Sequence, residues 1–217
     1  MELNIMMNYI LVSFIWWQFL SIVVVSAGLH RYFSHRAFKV GVWYEYLVLI
    51  LAPITGSGPV LGWVGVHRLH HRHSDTKLDP HSPEHVSRWR VLSSTFSIPS
   101  IRPVLIKDLL HNPRVKFFYK HHTKIRIISA LSCALILPPI WFLVFFVSPI
   151  IYGYLGFGII NTFCHKDGKP INSHLANIFS GGEGFHKNHH EEPSNWRVGR
   201  KWYEIDPAAY FIRGIMK

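Results

Sequence analysis

Histidine is the residue type whose number and spacing stand out in this chain. Sixteen of its 217 residues are histidines, and most of them lie in four short groups, HRYFSH, HRLHH, NTFCH and HKNHH. Neutral imidazole binds iron, zinc, copper and nickel, and nine imidazoles suit two metal ions better than one. The candidate ligand residues in these groups are His30, His35, His67, His70, His71, Asn161, His165, His186, His189 and His190.

The spacing within the groups indicates how they are positioned. Side chains at i, i+3 and i+4 share one helix face, so HRLHH and HKNHH are each predicted to aim three imidazoles at one point. Asn161 and His165 have the same i, i+4 relation. His30 and His35, five residues apart, fit a regular helix less well and are predicted to straddle a helix end. The remaining scattered histidines are interpreted as solvated or hydrogen-bonded side chains: His73, His85, His111, His121, His122 and His174.

Composition bounds the architecture that carries these groups. The mean hydropathy is +0.16, which is too low for a chain lying wholly in lipid and predicts a few membrane spans with a polar catalytic portion. Lys and Arg number 23 against 12 Asp and Glu. Because this excess lies between and after the apolar segments, it favours a cytoplasmic face beside anionic headgroups over nucleic-acid binding. Cys133 and Cys164 are interpreted as reduced, small apolar residues.

Three apolar stretches are long enough to consider as spans. Residues 9–29 match the roughly 20 residues that a transmembrane helix needs, and residues 127–164 suit two short spans, 127–146 and 148–164, joined at Ser148-Pro149. The stretch 42–66 is interrupted by Pro53 and by the run from Gly56 to Pro59. It is therefore predicted to be a broken, membrane-associated helix pair rather than a crossing.

All the ligands must meet at one site, which restricts the topology. The sequence predicts three crossings, with the N-terminus outside and the C-terminus and the histidines on the cytoplasmic side. The expected fold is thus an all-α, multi-pass integral membrane protein whose His-rich portion lies at the cytoplasmic face. No repeat or linker divides the chain, so residues 1–217 are predicted to form a single domain.

The histidine groups, taken with their flanking residues, resemble the membrane fatty acid desaturases of the acyl-CoA and acyl-lipid delta-nine type. GLHRYFSHRAFK is similar to the first histidine box of that family, and GWVGVHRLHHRHSDTKLDPHSP to the second. NTFCH resembles its NxxxH element, GEGFHKNHHEEP its third box, and KWYEIDPAAYFIR the stretch that follows. Members of the family usually have two spans before the first box, whereas one is found here.

The resemblance implies an oxygen-dependent oxidoreductase that introduces a cis double bond into a long acyl chain carried on CoA or lipid. It implies two iron ions bound by the nine histidines, with Asn161 reaching the metal through water and no catalytic side chain beyond the ligands. Electrons would come from an external ferredoxin or cytochrome b5. Besides the acyl substrate, O2 and membrane lipid are the expected partners, and nucleic acid is not.

Four further residues are predicted to lie around this site. Asp75, Asp79 and Glu183 are predicted to hold the ligating rings, the alternative being solvated charges or helix caps. Trp63, four residues before His67, resembles a family tryptophan at the wall of the acyl tunnel, and its alternative is an aromatic residue of the membrane interface.

Two other functions stay open at this point. A histidine-box membrane hydroxylase or ketolase would use the same metal chemistry and give an oxygenated product. A non-enzymatic metal-binding membrane protein would place ionisable ligands along the interior of its spans. Here the histidines lie at the span ends and in the polar portion, which disfavours that second alternative.

Overall fold

The structure is a computed structural model that describes residues 2–217, with side chains from Asn4 onward. It is mostly helical, as predicted. The elements in chain order are α1 (Glu2–Leu20), a π-helix (Ser21–Ser34), α2 (Val42–Leu51), a 3₁₀ turn (Ala52–Ile54), α3 (Val60–His73), α4 (Arg88–Leu92), a 3₁₀ turn (Pro103–Ile106), α5 (Lys107–Leu110), α6 (Pro113–Ile136), α7 (Pro139–Phe142), a π-helix (Leu143–Val147), α8 (Ser148–Phe163), β1 (His165–Lys166), β2 (Lys169–Pro170), α9 (His174–Phe179), α10 (His186–Glu191) and α11 (Pro207–Ile215).

Two helices in the described part of the chain are long and apolar enough to cross a membrane. The first spans Asn4–Ser34, so α1 and the π-helix form one continuous rod that includes the predicted span 9–29. The second spans Pro139–Phe163 and joins α7, the second π-helix and α8. They pack side by side and run in the same direction. Tyr9 meets Trp141 at one end, while His30 and Asn161 line the same cavity at the other.

The predicted turn at Ser148-Pro149, with spans 127–146 and 148–164 on either side, is wrong. The helix continues through this dipeptide, and the chain turns instead at Leu137-Pro138. Proline within a helix frees the carbonyl four residues earlier. Here that carbonyl belongs to Phe145, and it accepts a hydrogen bond from the indole of Trp16 at 3.1 Å. The π-helix just before Ser148 also accommodates the change of register.

The stretch 42–66 folds as the broken helix pair that the sequence predicted. Helix α2 ends in the 3₁₀ turn, and α3 begins at Val60 after a turn in which Gly56 and Gly58 adopt positive φ of 73° and 72°. A Cβ on Gly153 of α8 would lie 1.9 Å from the Thr55 carbonyl oxygen. The glycine therefore lets α8 pack directly on this turn.

The core surrounds the C-terminal half of the first rod. Leu20, Val24, Ala27 and Leu29 are completely buried, and α3, α2 and α11 pack around the π-helix. Close van der Waals packing of these side chains stabilises the layer. The rod is thus fixed most firmly at the end that carries His30.

Candidate metal centre

The structure brings all nine predicted histidines together, in two groups. Within each group the candidate ligand nitrogens all lie within 4.8 Å of one another. Cluster A consists of His30, His35, His67, His71 and His189, and cluster B of His70, His165, His186 and His190. Five and four imidazoles are sets of the size that one metal ion binds, so the two clusters fit two ions.

Each HxxHH group is divided between the clusters, which corrects the prediction that its three imidazoles aim at one point. On α3, His67 and His71 join cluster A while His70 joins cluster B. At about 100° per residue, positions i+3 and i+4 lie on opposite flanks of position i. A helix placed between two sites therefore supplies both of them.

Helix α10 repeats this division in the opposite sense. His186 and His190 belong to cluster B, and His189 belongs to cluster A. The two helices thus face each other across the centre, and each contributes imidazoles to both clusters. Each cluster therefore contains imidazoles from both HxxHH groups.

A π-helical register brings His30 and His35 together. The π-helix ends at Ser34, so His35 is the residue at the helix end, in agreement with the prediction. In this register residues five apart are joined by backbone hydrogen bonds, and the backbone N–H of His35 donates to the carbonyl of His30 at 3.2 Å. The sequence predicted the helix end but not this register.

The imidazoles face one another through their Nε2 atoms. In cluster A these atoms are 2.8 Å apart for His35 and His67 and 2.9 Å for His30 and His189. In cluster B the Nε2 atoms of His165 and His186 are 3.0 Å apart. Nitrogens bound at right angles around a metal at about 2.1 Å would lie about 3 Å apart. The spacing therefore suits ligands of a common ion.

Carboxylates beside the Nδ1 atoms support this interpretation. The Nδ1 atom of His30 lies 2.5 Å from Glu183, that of His70 lies 2.8 Å from Asp79, and that of His165 lies 2.9 Å from Asp75. An imidazole that binds a metal through Nε2 carries its N–H at Nδ1, and the carboxylate accepts that hydrogen bond at His70 and at His165. The Nε2 lone pairs are then left pointing at one another, and a cation between them removes this repulsion.

Each of the three predicted carboxylates thus contacts a different ring. Burial works to raise the pKa of the Glu183 carboxyl, but His30 and Arg31 outweigh it and hold that pKa at about 2. Burial also opposes ionisation of Asp75, yet the hydrogen bond from His165 keeps its pKa below the usual value. Burial raises the pKa of Asp79 to about 6, against backbone N–H groups that favour its charge. All three carboxylates are therefore acceptors at neutral pH.

Burial also keeps seven of the nine imidazoles in the neutral form that metals require. Together with neighbouring imidazoles, it lowers the pKa of His35 to about 2 and that of His190 to about 3. The pKa values of several others are lowered for the same two reasons: His67, His70, His71, His186 and His189. The donor set is thus preorganised for a metal without first losing protons.

An apolar cavity of about 330 Å³ ends at the two clusters. His30 and His67 of cluster A line it, as do His70 and His186 of cluster B. Most of the remaining wall is apolar or aromatic and includes Trp17, Val25, Trp63, Phe157 and Ile160. The cavity thus brings an apolar ligand to both clusters at once.

Trp63 and Asn161 both face this cavity. The indole of Trp63 stacks on the His67 ring, with centroids 5.1 Å apart and planes at 13°, so it lies in the wall beside cluster A. Asn161 lies near the end of α8 and lines the cavity together with His186. Because α8 ends at Phe163, His165 is carried by β1 and not by a continuing helix.

His81 is a neighbour of the site that sequence reasoning did not single out. It is buried, its ring centroid lies 4.4 Å from that of His70, and its backbone N–H donates to Asp79 at 3.1 Å. Its place in DPHSP, two residues after Asp79, was the available signal. The six scattered histidines, by contrast, belong to neither cluster.

The comparisons with known proteins agree with this chemistry. A family model described as fatty acid desaturase matches residues 8–217. The chain is 31% identical over 195 residues to the sn-1 stearoyl-lipid 9-desaturase of Anabaena variabilis, covering 84% of this chain and 71% of that relative. It is 29% identical over 230 residues to delta-9 acyl-lipid desaturase 2 of Arabidopsis thaliana, covering 93% and 71%.

Another relative is named for a different double-bond position. The chain is 28% identical over 207 residues to the chloroplastic palmitoyl-monogalactosyldiacylglycerol delta-7 desaturase of Arabidopsis thaliana, covering 87% of this chain and 54% of that relative. Histidine clusters that fit metal binding, an apolar cavity and a match over almost the whole length all point one way. The chain belongs to the fatty acid desaturase family and is an oxidoreductase of the acyl desaturase type.

Proposed function

We propose that this desaturase introduces a cis double bond at carbon 9 of a saturated long-chain acyl group carried on a membrane lipid. The observation that carries the proposal is the apolar cavity that ends at both histidine clusters. Relatives named as lipid 9-desaturases support both the lipid carrier and the position. The delta-7 name of another relative makes the position the part of the proposal that most needs measurement.

Two iron ions are the proposed metals, and their ligands are the nine histidines, with Asn161 acting through water. Imidazole suits iron, and when bound the irons would supply the oxygen activation needed to remove hydrogen from an unactivated methylene. The protein holds the ligating rings through Glu183, Asp79 and Asp75. The cavity wall holds the acyl chain against the clusters and excludes water.

The remaining reactants come from outside the chain. O2 is the proposed oxidant, and two electrons per turnover come from an external donor of the ferredoxin or cytochrome b5 type. The net charge of +11 with histidine neutral suits an acidic protein donor, because complementary charge accelerates encounter.

The activity is tested by expressing the chain in a desaturase-deficient host together with a ferredoxin or cytochrome b5. We expect cis monounsaturated chains to appear in the membrane lipids, with the double bond at carbon 9 in derivatised fatty acids analysed by mass spectrometry. Hydroxylated or keto products alone would instead establish the hydroxylase or ketolase alternative. Unchanged saturated chains with every donor would refute the proposed activity.

We also propose a multi-pass topology with the metal centre at the cytoplasmic face. The two apolar helices run in parallel, so the chain must return between them, and α6 is the element available. Its 24 residues extend about 36 Å, and its last ten, 127–136, carry no charge. Three crossings result, as the sequence predicted, but the outer turn lies at Leu137-Pro138.

Single cysteines, introduced into a variant without Cys133 and Cys164, test this topology in intact cells. A membrane-impermeant maleimide is expected to label cysteine at position 3 and at position 137 but not one added after Lys217. Labelling of position 137 only after lysis would contradict the crossing by α6. Protection of position 3 would contradict the assignment of the first rod.

A further inference from the structure

A buried guanidinium lies directly behind cluster A. Arg31, the residue after His30, is 1% exposed, and its Nη1 donates to both carboxylate oxygens of Asp206 at 3.0 Å. The same nitrogen donates to the Trp196 carbonyl at 2.8 Å, and Nη2 donates to Glu183 at 3.1 Å. The Arg31 side chain thus connects Glu183, beside the candidate ligand His30, to Asp206 in the C-terminal part of the chain.

Glu183 carries this connection to the metal ligand itself. One of its oxygens lies beside the Nδ1 of His30, while the other accepts from Arg31 and from the Ser26 hydroxyl. Among the residues that the structure describes, this is the one carboxylate in contact with a cluster A imidazole. Cluster B has two, Asp75 and Asp79. The two clusters therefore differ in how their rings are held.

The segment from Trp196 to Asp206, here called the C-terminal loop, is folded around Asp206. The Asp206 carboxylate accepts the backbone N–H of Val198 at 2.9 Å and that of Ala209 at 3.0 Å, in addition to Arg31. Gly182 adopts φ of +115°, and a Cβ there would lie 2.7 Å from an Asp206 oxygen. The loop, the Gly182 turn and the guanidinium thus form one closely fitted unit.

We propose that the C-terminal loop is a positioning element for the metal site of cluster A, acting from Asp206 through Arg31 and Glu183 to His30. The inference rests on the proposed metal centre and deepens it. Asp206 fixes the guanidinium, the guanidinium fixes the Glu183 carboxylate, and the carboxylate fixes the orientation and tautomer of the His30 ring. Cluster B is held by Asp75 and Asp79 and does not depend on this relay.

The relay predicts selective loss of one metal. In Asp206→Asn the amide N–H₂ group faces the donors of Arg31 and Val198, so the guanidinium and Glu183 lose their fixed positions. We expect the purified full-length variant, loaded anaerobically with ⁵⁷Fe(II), to hold about one iron per chain where the unaltered protein holds two. Mass-spectrometric metal analysis gives the stoichiometry. Mössbauer spectra are expected to lose the signal of the five-imidazole site.

Two further variants make the test decisive. Ser26→Ala removes one hydrogen bond to Glu183 at little cost to folding, and is expected to weaken iron binding at one site about tenfold. It tests the last step of the relay, from Glu183 to His30, and unchanged iron binding in it would overturn the proposal even if Asp206→Asn does not fold. Glu45→Gln is the matched control. It alters another buried carboxylate–arginine pair, with Arg114, and is expected to keep both irons.

Three outcomes would overturn the proposal. Two irons with unchanged affinity in both Asp206→Asn and Ser26→Ala would show that the relay does not position His30. Equal loss of both irons in these folded variants, or a similar loss in Glu45→Gln, would indicate general destabilisation. Fewer than two irons in the unaltered protein would instead refute the metal centre on which the inference rests.

Discussion

Alanine in place of His71 or His165 is expected to abolish desaturation and to lower bound iron, whereas His111→Ala and His122→Ala are expected to do neither. His71 contributes its Nε2 to cluster A, 2.8 Å from that of His189, and His165 contributes to cluster B. Loss of an imidazole removes both metal affinity and the ligand field that oxygen activation needs. Because altering even the groups behind a ligand costs 10–100-fold, a loss of activity beyond about 100-fold is expected.

The measurement combines fatty acid analysis of the expressing cells with iron per chain in the purified protein. His67→Ala and His190→Ala extend it to a second ligand of each cluster. The control residues lie outside both clusters, where the Nδ1 of His111 hydrogen-bonds the carbonyl of Lys107 at 2.6 Å. Equal loss in ligand and control variants would point to misfolding and leave the assigned ligands without support.

The nine histidines of the centre could be predicted because residue type and spacing alone identify candidate metal ligands. Nine histidines in fixed groups predicted nine imidazoles at one place, and the structure brings those nine together. What spacing on one helix cannot predict is how many points those imidazoles aim at. The division of His67 and His70 between clusters depends on where α10 lies relative to α3, which is a long-range property.

The register of the first rod was equally out of reach of local reasoning. The i+5 spacing of His30 and His35 does not suit an α-helix, and a π-helix of 14 residues is too rare to predict from sequence. Its formation depends on tertiary partners, since Ser26 and Arg31 of the same π-helix both contact Glu183. The odd spacing was the signal, and its explanation required the packed structure.

The missed course of residues 127–164 has a similar cause. Ser148-Pro149 resembles a break in the local sequence, because proline frees the Phe145 carbonyl. The indole N–H that donates to this carbonyl belongs to Trp16, which is 129 residues away in sequence. A helix can therefore continue through proline when a distant donor satisfies the freed carbonyl, and no local pattern reveals that donor. The same reasoning explains why Arg31 and Asp206 were missed: each becomes informative only as a buried pair.

Filling the cavity should separate substrate binding from metal binding. Gly62 lies on α3 and lines the cavity next to Trp63, and a Cβ placed on it would meet no heavy atom within 4 Å. Gly62→Phe therefore places a ring in the space assigned to the acyl chain without displacing a neighbour at the Cβ. We expect desaturation to fall more than about tenfold, because a mismatch of one methylene group in an apolar pocket already costs about that much and a phenyl ring is larger. Two irons per chain should remain bound.

Gly62→Ala is the matched control at the same position. Alanine in a helix interior is favoured over glycine by roughly 0.5–1 kcal/mol, so this variant should be as stable as the unaltered protein or slightly more so. It should also keep most of its activity, because a methyl group occupies little of a 330 Å³ cavity. Lipid analysis with iron determination on the same preparations gives both readouts. Full activity in Gly62→Phe with both irons bound would mean that the acyl chain does not pass Gly62, and the cavity would lose its assignment as the acyl site.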